Sequence, residues 1–243
     1  CELCVLNERS EWAVNPFLDN RRLTTENHRG GRMMRYRTHR ILVLTCLLVL
    51  FYISADARAG GIQRVRWVND GDTIVLTNGA RVRYIGLDAP EIKHDNRPAE
   101  RYGPEAKAFN RDLVLGKKVR LELDSQRRDQ YGRILGYVYL EDGTFVNQVL
   151  LQKGYAHYVF RIPNTTYDQI LLTAQREAMA KRLGLWKRFP NKTGPYIGNK
   201  RSKRFHRPTC RFGTATDPRN AVTLKDRYGA FWAGYSPCSK CNP

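Results

Sequence analysis

The sequence predicts an α+β fold, a small β-barrel with helices gathered at one side. Three observations carry it. Residues 74–87 alternate roughly between apolar and polar around Asn78-Gly79, and Asn-Gly between two β-rich runs is a strong hairpin signal. Residues 118–124 alternate in the same way, and residues 134–140 read as a further strand. From residue 145 onward, apolar side chains recur at helical spacing instead. Strands that come first and helices that come later segregate into a sheet with helices packed against it.

The elements follow in order. Ile74 to Leu87 reads as strand, turn and strand. A hairpin returns its ends to one place, so Asp72 and Asp88 are expected side by side. They belong to two acidic clusters, Asp70-Gly71-Asp72-Thr73 and Asp88-Ala89-Pro90-Glu91, with Arg81 and Arg83 between them. Paired carboxylates suit a hard divalent cation, which takes oxygen ligands. An arginine beside them suits a phosphate, because its fork is always charged and bonds bidentately. With Glu91 as a further carboxylate, these are the parts needed to hydrolyse a phosphodiester. Either acidic cluster alone reads as a solvated turn; their combination in so short a stretch is what points to chemistry. Arg81 reads as a solvated strand residue, and His94 as a surface histidine in a polar loop.

A helix opens at Tyr102-Gly103-Pro104-Glu105-Ala106, with Pro104 at an early helical position, and stops at Gly116. Its expected apolar face is Ala106, Phe109, Leu113 and Val114. A second, short helix spans 145–152 and ends at Gly154. A third spans 166–183, with Ile170, Leu171, Ala174, Ala178 and Leu183 expected on its buried side. Leu185-Trp186 then packs back on the core.

The chain has 243 residues, 42 Lys plus Arg against 23 Asp plus Glu, and a net charge of +19. Such a balance points to nucleic acid or another anionic surface as partner. Six cysteines are too few for a disulfide scaffold of this length. Residues 1–32 are polar and aperiodic and are expected to be an upstream, non-structural segment before a start at Met33 or Met34. The Cys1-x-x-Cys4 pair alone is weak evidence for a metal. From Met33 a basic stretch, a 13-residue apolar run from Ile41 to Ile53 and small residues spaced A-x-A read as an export signal over 33–59. Cleavage is expected after Ala57 or Ala59. The run is shorter than the roughly 20 residues a spanning helix needs, and an uncleaved membrane anchor is the alternative. Without residues 1–59 the chain keeps 33 basic and 17 acidic residues, so the positive charge belongs to the exported part.

Several pieces resemble the staphylococcal-type thermonucleases: DGDT (70–73), VRYIGLDAPE (82–91), YGPEA (102–106), DQYGR (129–133), LQKGYA (151–156) and GLW (184–186). The resemblance implies a five-stranded OB-type barrel with about three helices over 60–188. It implies Ca²⁺ on the carboxylates of Asp72 and Asp88 and the backbone carbonyl of Ala89. It makes Glu91 the group that orients or deprotonates the attacking water. Arg83 and Arg133 hold the phosphate, and Tyr131 and Tyr158 contact nucleotide. DNA and RNA are the implied substrates, cleaved with little sequence preference to leave 3′-phosphate ends. No small-molecule cofactor is expected, and the protein is expected to be a monomer. An inactive nucleic-acid-binding module on the same scaffold is the alternative.

Residues 189–198, with two Pro and two Gly, read as a linker. The basic run 200–204 reads as solvated linker or as phosphate contact. His206, Cys210, Cys238 and Cys241 are spaced H-x3-C and C-x2-C, a ligand set for a closed tetrahedral zinc site. A metal would help so small a unit fold. FHRPTC and AGYSPCSKC resemble the metal-binding domain of the Ada-type DNA repair proteins, which implies a structural Zn²⁺ module over 199–243. His206 stands where that family has a reactive cysteine, so methyl transfer is not implied. A Cys238–Cys241 disulfide is the rival in an oxidising compartment.

Overall fold

The computed structural model describes residues 59–93 and 98–243. The expected upstream segment, the expected signal except Ala59, and His94 lie outside them. Five strands close a barrel: β1 (Ala59–Val68), β2 (Thr73–Leu76), β3 (Arg81–Tyr84), then β5 (Lys118–Glu122) and β6 (Ile134–Leu140). Their order around the barrel is β1-β2-β3-β6-β5. β3 runs parallel to β6, with Arg83 opposite Leu135, and the other barrel neighbours are antiparallel. The β2–β3 hairpin turns where expected: the Asn78 side chain accepts from the Ala80 amide at 3.0 Å, which closes the turn. The short β4 (Leu87–Asp88) leaves the barrel and pairs with β7 (His157–Tyr158).

Three helices flank the barrel: α1 (Gly103–Val114), α2 (Val146–Gln152) and α3 (Asp168–Ala180). Alternation inside β2 and β3 sends Ile74, Leu76, Val82 and Tyr84 into one core, to which β6, buried along most of its length, adds Leu135 and Val138. Helix α1 adds Ala106 and Val114 fully, while Phe109 and Leu113 are only half-buried against that core. On α3 the expected face is corrected. Leu171, Ala174 and Ala178 are buried, but Ile170 is 44% exposed and Leu183 36% exposed. Gln175 and Met179 take the inner positions instead.

That difference has a cause, because α3 serves two cores. Leu171 and Ala174 pack on the barrel, whereas Ala178 and Met179 join Trp186, Phe205, Ala230, Phe231 and Tyr235 in a second cluster. This second cluster belongs to a C-terminal sheet of order β10-β8-β9-β11. Its strands are β8 (Thr193–Asn199), β9 (Arg204–His206), β10 (Ala221–Asp226) and β11 (Ser236–Pro237), with short helices α4 (Arg211–Thr214) and α5 (Arg227–Trp232). The stretch read as a linker, 189–198, therefore becomes mostly strand: β8 is one of the sheet's two inner strands, bonded to β10 and β9. Its prolines and glycines misled because Gly198 packs under Leu224, Val222 and Tyr235, where a side chain would collide.

Gln175 ties the halves together. Its carbonyl accepts from the Tyr158 amide at 2.6 Å, and its amide donates to the Phe231 carbonyl at 2.7 Å. Both bonds are buried, so losing one partner strands a polar group at a cost of about 1–3 kcal/mol. No helix among the described residues is long and apolar enough to cross a membrane.

Candidate active site and metal centre

The turn before β2 sets the first carboxylate. Asp70 accepts from the Asp72 amide at 3.0 Å, and Asp72 accepts from the Thr73 hydroxyl at 3.0 Å and from the Ala89 amide at 2.8 Å. Gly71 allows this approach, since a Cβ there would stand 2.5 Å from the Ala89 Cβ and 2.8 Å from the Ala106 Cβ. Asn110 holds the turn from behind, donating to the Asp70 carbonyl and accepting from the Tyr84 hydroxyl. Gly103 lets α1 close on the second cluster, because a Cβ there would meet the Glu91 carbonyl at 2.2 Å.

Arg83, opposite Thr73 in the hairpin, reaches both carboxylates. Its Nη1 pairs with Asp72 and its Nη2 with Asp88. The side-by-side placement of Asp72 and Asp88 is therefore observed. Asp72 is buried, and the Asp88 side chain is 46% exposed. Burial pushes the Asp72 carboxyl well above the usual range, against the pull of Arg83; the neighbouring Asp70 and Asp88 push it further up. Burial also disfavours the Arg83 charge, but Asp72, Asp88, Asp70 and Glu91 around it raise its pKa on balance. Four carboxyl groups thus crowd one guanidinium in a protein that is strongly basic as a whole.

These groups line one cavity of about 600 Å³ that also contains Tyr131 and Arg133. Arg133 donates its Nε to Asp129 at 2.7 Å and lies 5.5 Å from the centre of the Tyr131 ring. Against the opposing effect of burial, hydrogen bonds from Arg133 and the Tyr131 backbone hold Asp129 below the usual carboxylate range. Asp129 therefore stays ionised and anchors Arg133 through Nε, leaving both terminal nitrogens with donors for a ligand. Tyr131 is 65% exposed at the cavity mouth. Tyr158 is not in the site. It is 3% exposed in the barrel core, because β7 pairing with β4 turns its ring inward. Arg81 is exposed and donates to the Tyr131 carbonyl at 3.2 Å.

His157, opposite Asp88 in the β4–β7 pair, was missed from sequence. Its Nε2 is 3.9 Å from Asp88 Oδ2, and its ring meets Phe231 edge-on. Burial lowers its pKa to about 4, with Asp88 opposing and Arg204 and Arg83 assisting. It is neutral at physiological pH and does not compete as a cation for Asp88. Its signal in the sequence was an aromatic-rich stretch, which marks packing and not chemistry.

Oxygen donors on Asp72, Asp88 and the Ala89 backbone, with surplus negative charge around Arg83, fit a hard divalent cation. In the C-terminal sheet, one ligand atom from each of His206, Cys210, Cys238 and Cys241 lies within 4.8 Å of all the others. Ligands about 2.3 Å from a common centre at tetrahedral angles stand roughly 3.8 Å apart, so this set fits zinc. The three thiols are free. Burial and the adjacent thiols raise Cys241 to about 11, whereas hydrogen bonds from the Gly213 and Phe212 amides lower Cys210 against burial.

Comparison with known proteins agrees with this geometry. The model of the family described as staphylococcal nuclease homologue matches residues 81–188. The thermonuclease of Staphylococcus intermedius is 37% identical over 160 residues, covering 61% of this chain and 95% of that protein. The thermonuclease of Staphylococcus hyicus is 33% identical over 168 residues, 63% of this chain and 99% of that protein. The endonuclease YncB of Bacillus subtilis is 45% identical over 138 residues, 54% of this chain and 62% of that protein. The family match stops before the Cys/His cluster.

Proposed function

The chain belongs to the staphylococcal nuclease family and is a nuclease, and we propose that it is an exported, Ca²⁺-dependent one that hydrolyses DNA and RNA with little sequence preference. Residues 60–188 form its catalytic unit and 199–243 its zinc-binding module. The observation that carries this reading is Arg83 spanning Asp72 and Asp88 in the cavity that also holds Glu91 and Arg133.

Phosphodiesters are anionic and repel hydroxide, so charge must be neutralised before attack. Asp72, Asp88 and the Ala89 carbonyl would hold Ca²⁺, which supplies Lewis-acid polarisation of a phosphoryl oxygen. Arg83 and Arg133 bind the phosphate and stabilise the charge that grows on it in the transition state. Asp129 keeps the Arg133 fork in place through Nε. Glu91 orients or deprotonates the water that attacks phosphorus, and Tyr131 lies against the nucleotide at the mouth. The product carries a 3′-phosphate. In the second metal centre, His206, Cys210, Cys238 and Cys241 would bind structural Zn²⁺, leaving no ligand position for chemistry. Export rests on the 33–59 signal, with membrane retention by an uncleaved signal as the alternative.

The test is cleavage of a labelled single strand with Ca²⁺ and with EGTA, beside Glu91→Gln and Arg133→Ala. Calcium-dependent cleavage is expected, falling at least about 10²-fold in each variant. Tight, salt-sensitive binding without cleavage would leave an inactive nucleic-acid-binding module instead.

A further inference from the structure

The cavity does not end at the barrel. Arg161, which lines it, also lines a second groove of about 400 Å³. Phe160, Arg161 and Ile162, in the segment that follows β7, form one wall of that groove, and Asn199, Arg201 and Ser202 of the C-terminal sheet form the other. Ser239, between Cys238 and Cys241, lines the first cavity. The metal-ligand loop thus borders the site where phosphate is held.

The groove is built from recognisable parts. Arg161 and Arg201 are exposed, and neither has a carboxylate partner among the described residues. Ile162, between them, is 61% exposed. Unpaired arginines beside an exposed apolar side chain and the half-buried Phe160 ring are what a single nucleic-acid strand uses, phosphates on the cations and bases on the apolar faces. A duplex keeps its bases stacked inside and offers no such face. The walls are fixed before ligand arrives: Gln175 bonds Phe231, Arg176 donates to the Trp232 carbonyl at 2.8 Å, and Arg204 donates to the Pro237 carbonyl at 3.2 Å.

We propose that this groove continues the substrate site. A single strand passes from the cleft over Arg161 and along the seam between barrel and C-terminal sheet, with phosphates on Arg161 and Arg201 and a base against Phe160 and Ile162. This rests on the nuclease reading and extends it: the C-terminal sheet is a wall of the substrate channel as well as a metal-stapled appendage. It also gives the basic run from Lys200 a function at Arg201.

The full chain, the Arg161→Gln and Arg201→Gln single variants and the double variant are assayed on a single-stranded DNA of about 12 nucleotides, within the usual site size of such folds, and on a dinucleotide, which can meet Arg161 in the cleft but cannot fill both cleft and groove. Both side chains are exposed, and melting by circular dichroism verifies the fold. The double variant is expected to raise KM for the longer strand roughly tenfold and to lessen the slope of log KM against log salt by about 1.4, some 0.7 for each phosphate no longer neutralised. Its effect on the longer strand should be at least five times that on the dinucleotide. RNA of the same sequence should weaken equally, because the arginines hold phosphate; a weakening confined to one sugar overturns that assignment. Unchanged KM and slope, or equal effects on both lengths, overturn the proposal. If the unsubstituted chain cleaves neither substrate, the nuclease reading falls by itself. The salt slope of strand binding, read by fluorescence anisotropy, then decides the groove.

Discussion

The two candidate metal centres differ in nearly every physical respect. One offers oxygens: the buried Asp72 and the half-exposed Asp88, lining a cavity shared with three arginines, and the adjacent Ala89 carbonyl. The other offers three thiols and an imidazole, enclosed by β9, α4 and the last turn of the chain. Hard, open donors leave positions for water and phosphate; soft, closed donors satisfy the ion completely. The first should therefore govern rate and the second fold, although Ser239 of the metal-ligand loop stands at the cleft of the first.

The largest separation is expected from ligand loss. Cys238→Ser should abolish stoichiometric zinc, measured by metal release with a thiol reagent. It should also unfold the C-terminal sheet, since structural zinc supplies on the order of 10 kcal/mol of apparent binding energy to small units. A Cys238→Ser protein that melts like its parent would mean the thiols staple nothing. Next comes calcium: at about 100 times its Kd it should stabilise the protein by about 2.7 kcal/mol, raising Tm by roughly 5–10 °C. Asp88→Asn should remove that shift while leaving the zinc content intact. If EGTA instead melted the C-terminal sheet, the two centres would not be separable.

The smallest effect probes the seam. His157 has its pKa lowered from 6.5 to about 4, chiefly by burial. Its contribution to stability is therefore present above 6.5 and is lost as pH falls through 4. Between pH 7 and 5 the parent should lose about 2 kcal/mol through this group, and His157→Gln should not. Urea midpoints at the two pH values measure it; parallel losses in parent and variant would exclude His157 as the acid-sensitive group.

Most of the barrel was legible because its signals are local. The Asn78 turn, the alternation in β5 and the stops at Gly116 and Gly154 each act within a few residues. The placement of Asp72, Arg83 and Asp88 was legible for the same reason, since one hairpin joins them. Buried polar residues were not. Asn110 and Gln175 sit on helix faces where pattern alone expects apolar side chains, yet each satisfies groups far away in sequence. Tyr158 failed in the opposite direction: an aromatic near a site reads as a ligand contact until β4–β7 pairing turns it into the core.

By itself, the sequence determined four of the barrel's five strands, all but β1, together with the carboxylate–arginine set and the Cys/His ligand spacing, because each depends on short-range geometry or on residue chemistry. Only the tertiary structure decided that α3 serves two cores, that residues 193–199 form an inner strand, and that Arg161 and Arg201 face one groove. Those facts depend on pairings between segments tens of residues apart, and nothing within either segment records its partner.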